Sequence, residues 1–282
     1  MTTPELPLAS AQPSAEPSPA SSPPGVELPL ALGLLSTEAL AEALARPGPA
    51  LALVPVGSTE PHGPHLPLLT DAVISEGVSA RAARLLREAG RVALVAPTVP
   101  YGVTDFASGF AGALSVPAAA LSAFLRALVD ALLRQGFAHV CLVNNHLEPA
   151  HDAAVRAAVE GLGPRASVAC PLTRRWARTL GDEFRSGACH AGRYETSLVL
   201  ALAPTLVDAA SASGLPDLAT SLSEGIRRGV ASFRDLGLDR AYTGQPRLAS
   251  SEEGAELVER LAQMVVTEVE EAVALLEASP AS

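Results

Sequence analysis

Residues 50–56 read ALALVPV, seven apolar residues in a row between the breaker Arg46-Pro-Gly-Pro and Gly57. A half-buried strand would alternate with polar residues, and a surface helix would show a 3.6-residue period. This run does neither, so it predicts a strand buried on both faces, as in a parallel sheet. Shorter runs at 91–96 (RVALVA), 139–143 (HVCLV) and 166–170 follow it. Helical patterns at about 72–89, 117–135 and 150–161 separate them, and further helices are expected near 193–203 and 251–277. Ser36 reads as the N-cap of an earlier short helix, with Leu40 and Leu44 on one face. Strands alternating with helices imply βαβ units, hence an α/β fold with a mostly parallel sheet covered on both sides. In such sheets ligands gather beyond the carboxyl ends of the strands. The loops after residues 56 and 143 are therefore where chemistry is expected.

Several function classes are excluded early. The formal net charge is −10, which disfavours nucleic acid or an anionic membrane surface as partner. The chain has no lysine, so a Schiff-base lysine, a pyridoxal phosphate anchor and a P-loop lysine are impossible. The GxG at Gly161–Gly163 follows a helix instead of a strand, contrary to a dinucleotide fingerprint, and no GxSxG elbow occurs. Cys141, Cys170 and Cys189 are odd in number and form no CxxC pair; they read as reduced thiols in a cytoplasmic protein. No breaker-free run of about 18 apolar residues suggests a membrane span. Residues 1–27, with seven prolines before Gly25, are expected to be a disordered tail with neither the basic start nor the apolar centre of a secretory signal. Residues 28–277 are expected to form one domain.

The six histidines are not scattered. His62 and His65 follow the first strand, His146 and His151 follow the 139–143 run, His190 precedes a helix, and His139 starts a strand. The first loop reads GSTEPHGPHLPLLTD from Gly57 to Asp71. Glu60 and His62 flank a proline, which restricts the backbone between them. The second loop reads VNNHLEPAHD, Val143 to Asp152, and its His146 and Glu148 repeat the two-residue spacing. With Asp71 these make five candidate ligands. Three carboxylates and two imidazoles suit two divalent ions about 3.5–4 Å apart, Zn or Mn, with one carboxylate bridging. Asp71 by itself would serve as well as a helix N-cap. In CHAGRYETS, Cys189 to Ser197, His190 and Glu195 are candidates for proton transfer. A first-turn helix acid and a loop histidine bonded to backbone would be the plainer readings of the two.

The stretch PVGSTEPHGPHLPLLTD resembles the opening signature of the creatininase family, commonly GSxEQHGPHLPLxTD. HAGRYETSLVLALAPTLVD resembles that family's HAGxxETSLMLxLxPxLVD segment, and PYG at 100–102, FAGALSV at 110–116 and GQPRLASSEEGAEL at 244–257 extend the likeness over roughly 28–275. The resemblance implies a three-layer α/β/α sandwich, two divalent ions per chain and a homo-oligomer, often a hexamer. It implies that Glu60, Asp71 and His146 hold one ion, that His62, Asp71 and Glu148 hold the other, and that His190 moves the proton at the scissile bond. The implied reaction is hydrolysis of a C–N amide bond in a small amide, cyclic or linear, by water activated between the metals. Alternatives in the family are a peptide-trimming hydrolase of cofactor maturation and a formamide deformylase; a metal-binding member without catalysis is a third. Many relatives read NGHGGN where this chain reads NNHLEP, so Leu147 and Pro149 are expected to change the pocket wall, and Leu147 and His151 to meet the substrate, with His151 an extra candidate ligand or gate. Cys189 stands where such sequences can carry an acid, and Trp176 only loosely matches a substrate-covering tryptophan.

Overall fold

The computed structural model describes residues 29–278; the tail expected over 1–27 lies outside the described residues. The sheet has four parallel strands in the order β2-β1-β3-β4: β1 (Ala50–Val56), β2 (Val92–Val95), β3 (His139–Asn144) and β4 (Ala166–Ala169). Every residue of β1 is buried. Leu51 and Leu53 enter one apolar cluster and Ala50, Ala52, Val54 and Val56 the other. The uninterrupted apolar run is thus two alternating faces, each covered by helices.

The first short helix, α1 (Thr37–Leu44), starts where Ser36 accepts from Ala39 N. On one side of the sheet lie α2 (Thr70–Glu88), α7 (Arg193–Leu202) and α10 (Ser251–Ala278); on the other lie α3 (Ala118–Arg134) and α4 (Pro149–Val159). This is the expected α/β/α sandwich. Between β4 and α7 run two short helices, α5 (Arg174–Ala177) and α6 (Asp182–Ser186), and between α7 and α10 two more, α8 (Ala209–Ser213) and α9 (Leu222–Arg227). Each is six residues or fewer, too short to carry a readable period, and none is anticipated by the sequence pattern. No described helix is long and apolar enough to cross a membrane.

Pro55 sits in an inner strand, where a missing N–H usually breaks a ladder. Here the carbonyl of Pro55 accepts from Val99 N. Neighbouring N–H and C=O of one parallel-strand residue point the same way, so the absent donor faces the β2 side, beyond that strand's last paired residue, Val95. β1 and β3 stay paired to Val56↔Asn144 while β2 has already left. The chain runs from β1 outward to β2 and then crosses back to β3, so the order reverses between β1 and β3. Their carboxyl ends open the crevice in which the histidine loops meet.

Candidate functional site

The loop after β1 folds onto the start of α2 at Gly57, where a Cβ would stand 2.6 Å from Ala72 N and 2.8 Å from Asp71 C. Glu60 N donates to Leu68 O, closing the loop. Asp71 falls in the first turn of α2, but its side chain does not cap the helix; it turns into the crevice. One turn on, Ser75 Oγ donates to Val56 O and accepts from Asn145 N and Nδ2. That buried hydroxyl ties the end of β1 to the loop after β3.

Two histidines face Asp71. His62 Nε2 lies 3.2 Å from Asp71 Oδ1, and His146 Nδ1 lies 3.0 Å from Asp71 Oδ2. His146 Nδ1 is also 3.1 Å from Glu60 Oε1. In each ring the other nitrogen is fixed by backbone: His62 Nδ1 donates to Glu60 O at 3.1 Å, and His146 Nε2 donates to Val103 O at 2.7 Å. A ring so anchored turns its remaining nitrogen toward the carboxylates, where it holds a proton without metal and would give its lone pair to a bound ion. This is the outer hydrogen bond that sets a metal-ligating imidazole. His62 Nε2 and Asp71 Oδ2 are buried without hydrogen-bond partners, as groups reserved for a cation would be.

Side chains come together here in groups close enough to share an ion. Glu148 lies with Glu60 and His146, and the third group beside His62 and Asp71 is Glu195. Glu195 Oε2 is 3.5 Å from His62 Nε2 and accepts from Ala191 N at 2.6 Å. Ala191 adopts φ 47, a left-handed turn rare for residues with a Cβ; it folds the acid back under its own helix start. Glu148 is held at the opposite wall by the N–H groups of Asp105 and Phe106. The difference is one of direction. α4 begins at Pro149, so Glu148 leaves β3 toward the β2 loop, whereas α7 enters from the other face of the sheet beside His62.

His190 Nε2 donates to Pro61 O at 3.0 Å, its Nδ1 is 3.9 Å from Glu60 Oε1, and its ring stacks on Phe233. It groups with Glu60 and His62. Leu147 lines the cavity, as expected. His151 does not: it is fully buried behind His146, with Val103 N donating to its Nδ1. Gly102 makes room for it, since a Cβ there would stand 2.5 Å from the ring. His65 is likewise structural, bonded to Thr196 Oγ1. Trp176 donates to Glu268 on α10 and does not line the cavity.

The electrostatics follow from burial and crowding. Burial drives the protonated form of His62 down, but Asp71, Glu195 and Glu60 outweigh it and raise its pKa to about 10. His146 is raised well above its ordinary value, against burial, by Glu60 and Asp71. Burial lifts Glu148 to about 7 and Glu195 to about 8. Burial and the neighbouring His62 charge press His190 down to about 4. The cluster thus gathers four carboxyl groups and two imidazoles that hold protons where bound cations could take their place.

Sequence reasoning missed Thr104, whose hydroxyl donates to Glu60 Oε2 from the loop after β2. That loop shares the functional edge, so the strand-end rule pointed there also. It missed Glu183, which accepts from Tyr194 N and Gln245 N and so fixes the start of α7. It also missed Phe106 and Phe233. No local pattern signals a long-range contact of that kind.

Fold and site together define an α/β/α protein with a buried histidine–carboxylate cluster at its sheet switch point. The family profile for creatininase, creatinine amidohydrolase, matches residues 34–269, and the chain belongs to that family of hydrolases. It is 32% identical over 231 residues to a mycofactocin precursor peptide peptidase of Mycobacterium ulcerans (strain Agy99), covering 77% of this chain and 83% of that protein. A protein of the same name from Mycolicibacterium smegmatis is 32% identical over 213 residues, covering 73% of this chain and 79% of that one. Among solved structures, the manganese creatininase superposes with a TM-score of 0.65 at 22% identity, over 86% of this chain and 98% of that one. At that identity the likeness speaks for the fold.

Proposed function

We propose that this chain is a metal-dependent hydrolase that cleaves a peptide amide bond. The observation that carries the reading is Asp71 with one oxygen toward each of two backbone-anchored histidines. Glu60, His146 and Asp71, with Glu148 beside them, would hold one divalent ion; His62, Asp71 and Glu195 would hold the second. The mixed nitrogen and oxygen donors suit Zn or Mn, and bound ions would supply Lewis acidity and lower the pKa of a water. His190, with Nε2–H committed to Pro61 O, presents Nδ1 to the cavity and stays neutral near pH 7, ready to take a proton there and return it to the leaving nitrogen. Phe106, Leu147 and Phe233 exclude water around these groups.

Two curated relatives named as peptidases support a peptide over a small cyclic amide. The cavity of about 420 Å³ with its apolar wall accepts side chains larger than a small ring carries. The cytoplasm is the proposed compartment, from the three unpaired cysteines, and a homo-oligomer the proposed assembly, by family resemblance; light scattering on the purified chain tests the latter. The function is tested by counting divalent ions per chain in protein purified without chelator, then assaying linear peptides and cyclic amides. Bound metal with peptide cleavage is expected. Bound metal with no amide turnover would make the chain a metal-binding member without catalysis.

A further inference from the structure

The cavity has basic as well as acidic lining. Glu60, Asp71, Glu148 and Glu195 line it, and so do Arg185 and Arg227. Phe184, Leu222, Ile226 and Phe233 also line it. The two arginines come from α6 and α9, which are fastened together. Leu222 N donates to Gly187 O, and Ser221 Oγ donates to Ser186 O at 2.6 Å. Gly187, at φ +76, has no room for a Cβ, which would stand 2.3 Å from Ser223 Oγ. The guanidinium groups therefore sit on one platform.

Both arginines are exposed, and neither is held by a buried carboxylate among the described residues. Arg227 gives Nε to the carbonyl of Ser223 in its own helix, and no described carboxylate pairs with it. Arg185 pairs with Asp182 three residues earlier, itself 92% exposed; a surface pair of that kind is weak and readily exchanged. Resting on the amide-hydrolase reading, we infer that Arg185 and Arg227 form an anion subsite of the substrate cavity, so that the substrate joins an apolar body to a carboxylate on the leaving-group side of the scissile amide. Arginine is suited to this, because its planar donors match the two carboxylate oxygens. The arginines would give a substrate carboxylate a site apart from the metal ligands, which leaves the amide free to face the histidines.

The test uses the metal-loaded chain and a pair of probes, N-acetyl-leucyl-phenylalanine as the free acid and as its terminal amide, measured by calorimetric titration and as substrates. The acid should bind roughly tenfold or more tightly than the amide, as loss of a charge-assisted contact predicts. That preference should vanish in Arg185→Gln/Arg227→Gln and reverse in Arg227→Glu, with thermal unfolding used to verify that each variant is folded. Equal binding of the two probes by the wild type overturns the subsite. So does a preference that survives in the double variant, which would mean that the carboxylate sits on the metals. Binding with the expected preference but no hydrolysis of either probe would count against the amide-hydrolase reading and leave the subsite standing.

Discussion

Asp71 Oδ1 stands 3.2 Å from His62 Nε2, and the other oxygen of the same carboxylate stands 3.0 Å from His146. One residue at the start of α2 thus links the loop after β1 to the loop after β3. Both sides of the site depend on it, and this sets the first expectation.

Asp71→Ala should lose both ions and more activity than the roughly 10–100-fold that removing an outer-shell partner costs. The fold should persist, because Asp71 does not cap α2. Metal analysis and far-UV circular dichroism together check this; full turnover in the variant would overturn the shared-carboxylate reading.

Glu195→Gln and Glu148→Gln should separate the two sides. Each should reduce the metal count from about two to about one per chain. Glu195→Gln should weaken the ion beside His62, and Glu148→Gln the ion beside His146. Spectroscopy of cobalt-substituted protein distinguishes the two; identical spectra for both variants would contradict the grouping described above.

Ser75→Ala removes the hydroxyl that bonds Val56 O and Asn145. Leaving those buried groups without a partner should cost about 1–3 kcal/mol in urea unfolding. Metal affinity should fall with it, since His146 follows Asn145 directly. An unchanged unfolding midpoint would show that the tie is dispensable.

Gly254→Ala should be the most disruptive of these small changes. Its Cβ would lie 1.8 Å from Ser197 O, where α10 crosses α7. Overpacking of a tight core costs about 1–3 kcal/mol, and here the displaced helix carries Glu195. A loss of thermal stability together with weaker metal binding is expected, readable by calorimetry and equilibrium dialysis.

The chelated protein should become less stable as pH rises above about 6.5. Burial notwithstanding, Asp71, Glu195 and Glu60 raise His62 to about 10 in the folded chain, while the unfolded chain releases that proton near 6.5. Its stabilising contribution is complete below 6.5 and is lost as pH rises through about 10. Glu148, raised to about 7, and Glu195, raised to about 8, act in the same direction. Metal in place of those protons should flatten the curve. Thermal unfolding across pH 6.5–10, with and without restored Zn or Mn, checks this; a flat profile in chelator would contradict it.

Much of the architecture was legible in the chain. The apolar runs placed all four strands within a residue or two, because burial on both faces leaves no polar alternation. The strand-end rule pointed to the loops that carry Glu60, His62, Asp71, His146 and Glu148. What only the tertiary structure decided was direction. Which histidine nitrogen faces the crevice depends on the carbonyls of Glu60 and Val103. Glu195 comes beside His62 because α7 enters from the opposite face of the sheet. His151 went behind His146 into a space that Gly102 leaves. Arg185 and Arg227, 42 positions apart in sequence, line one cavity because two helices too short to announce themselves are pinned together. Local pattern records whether a residue is buried; which distant group it meets there is settled only when the layers pack.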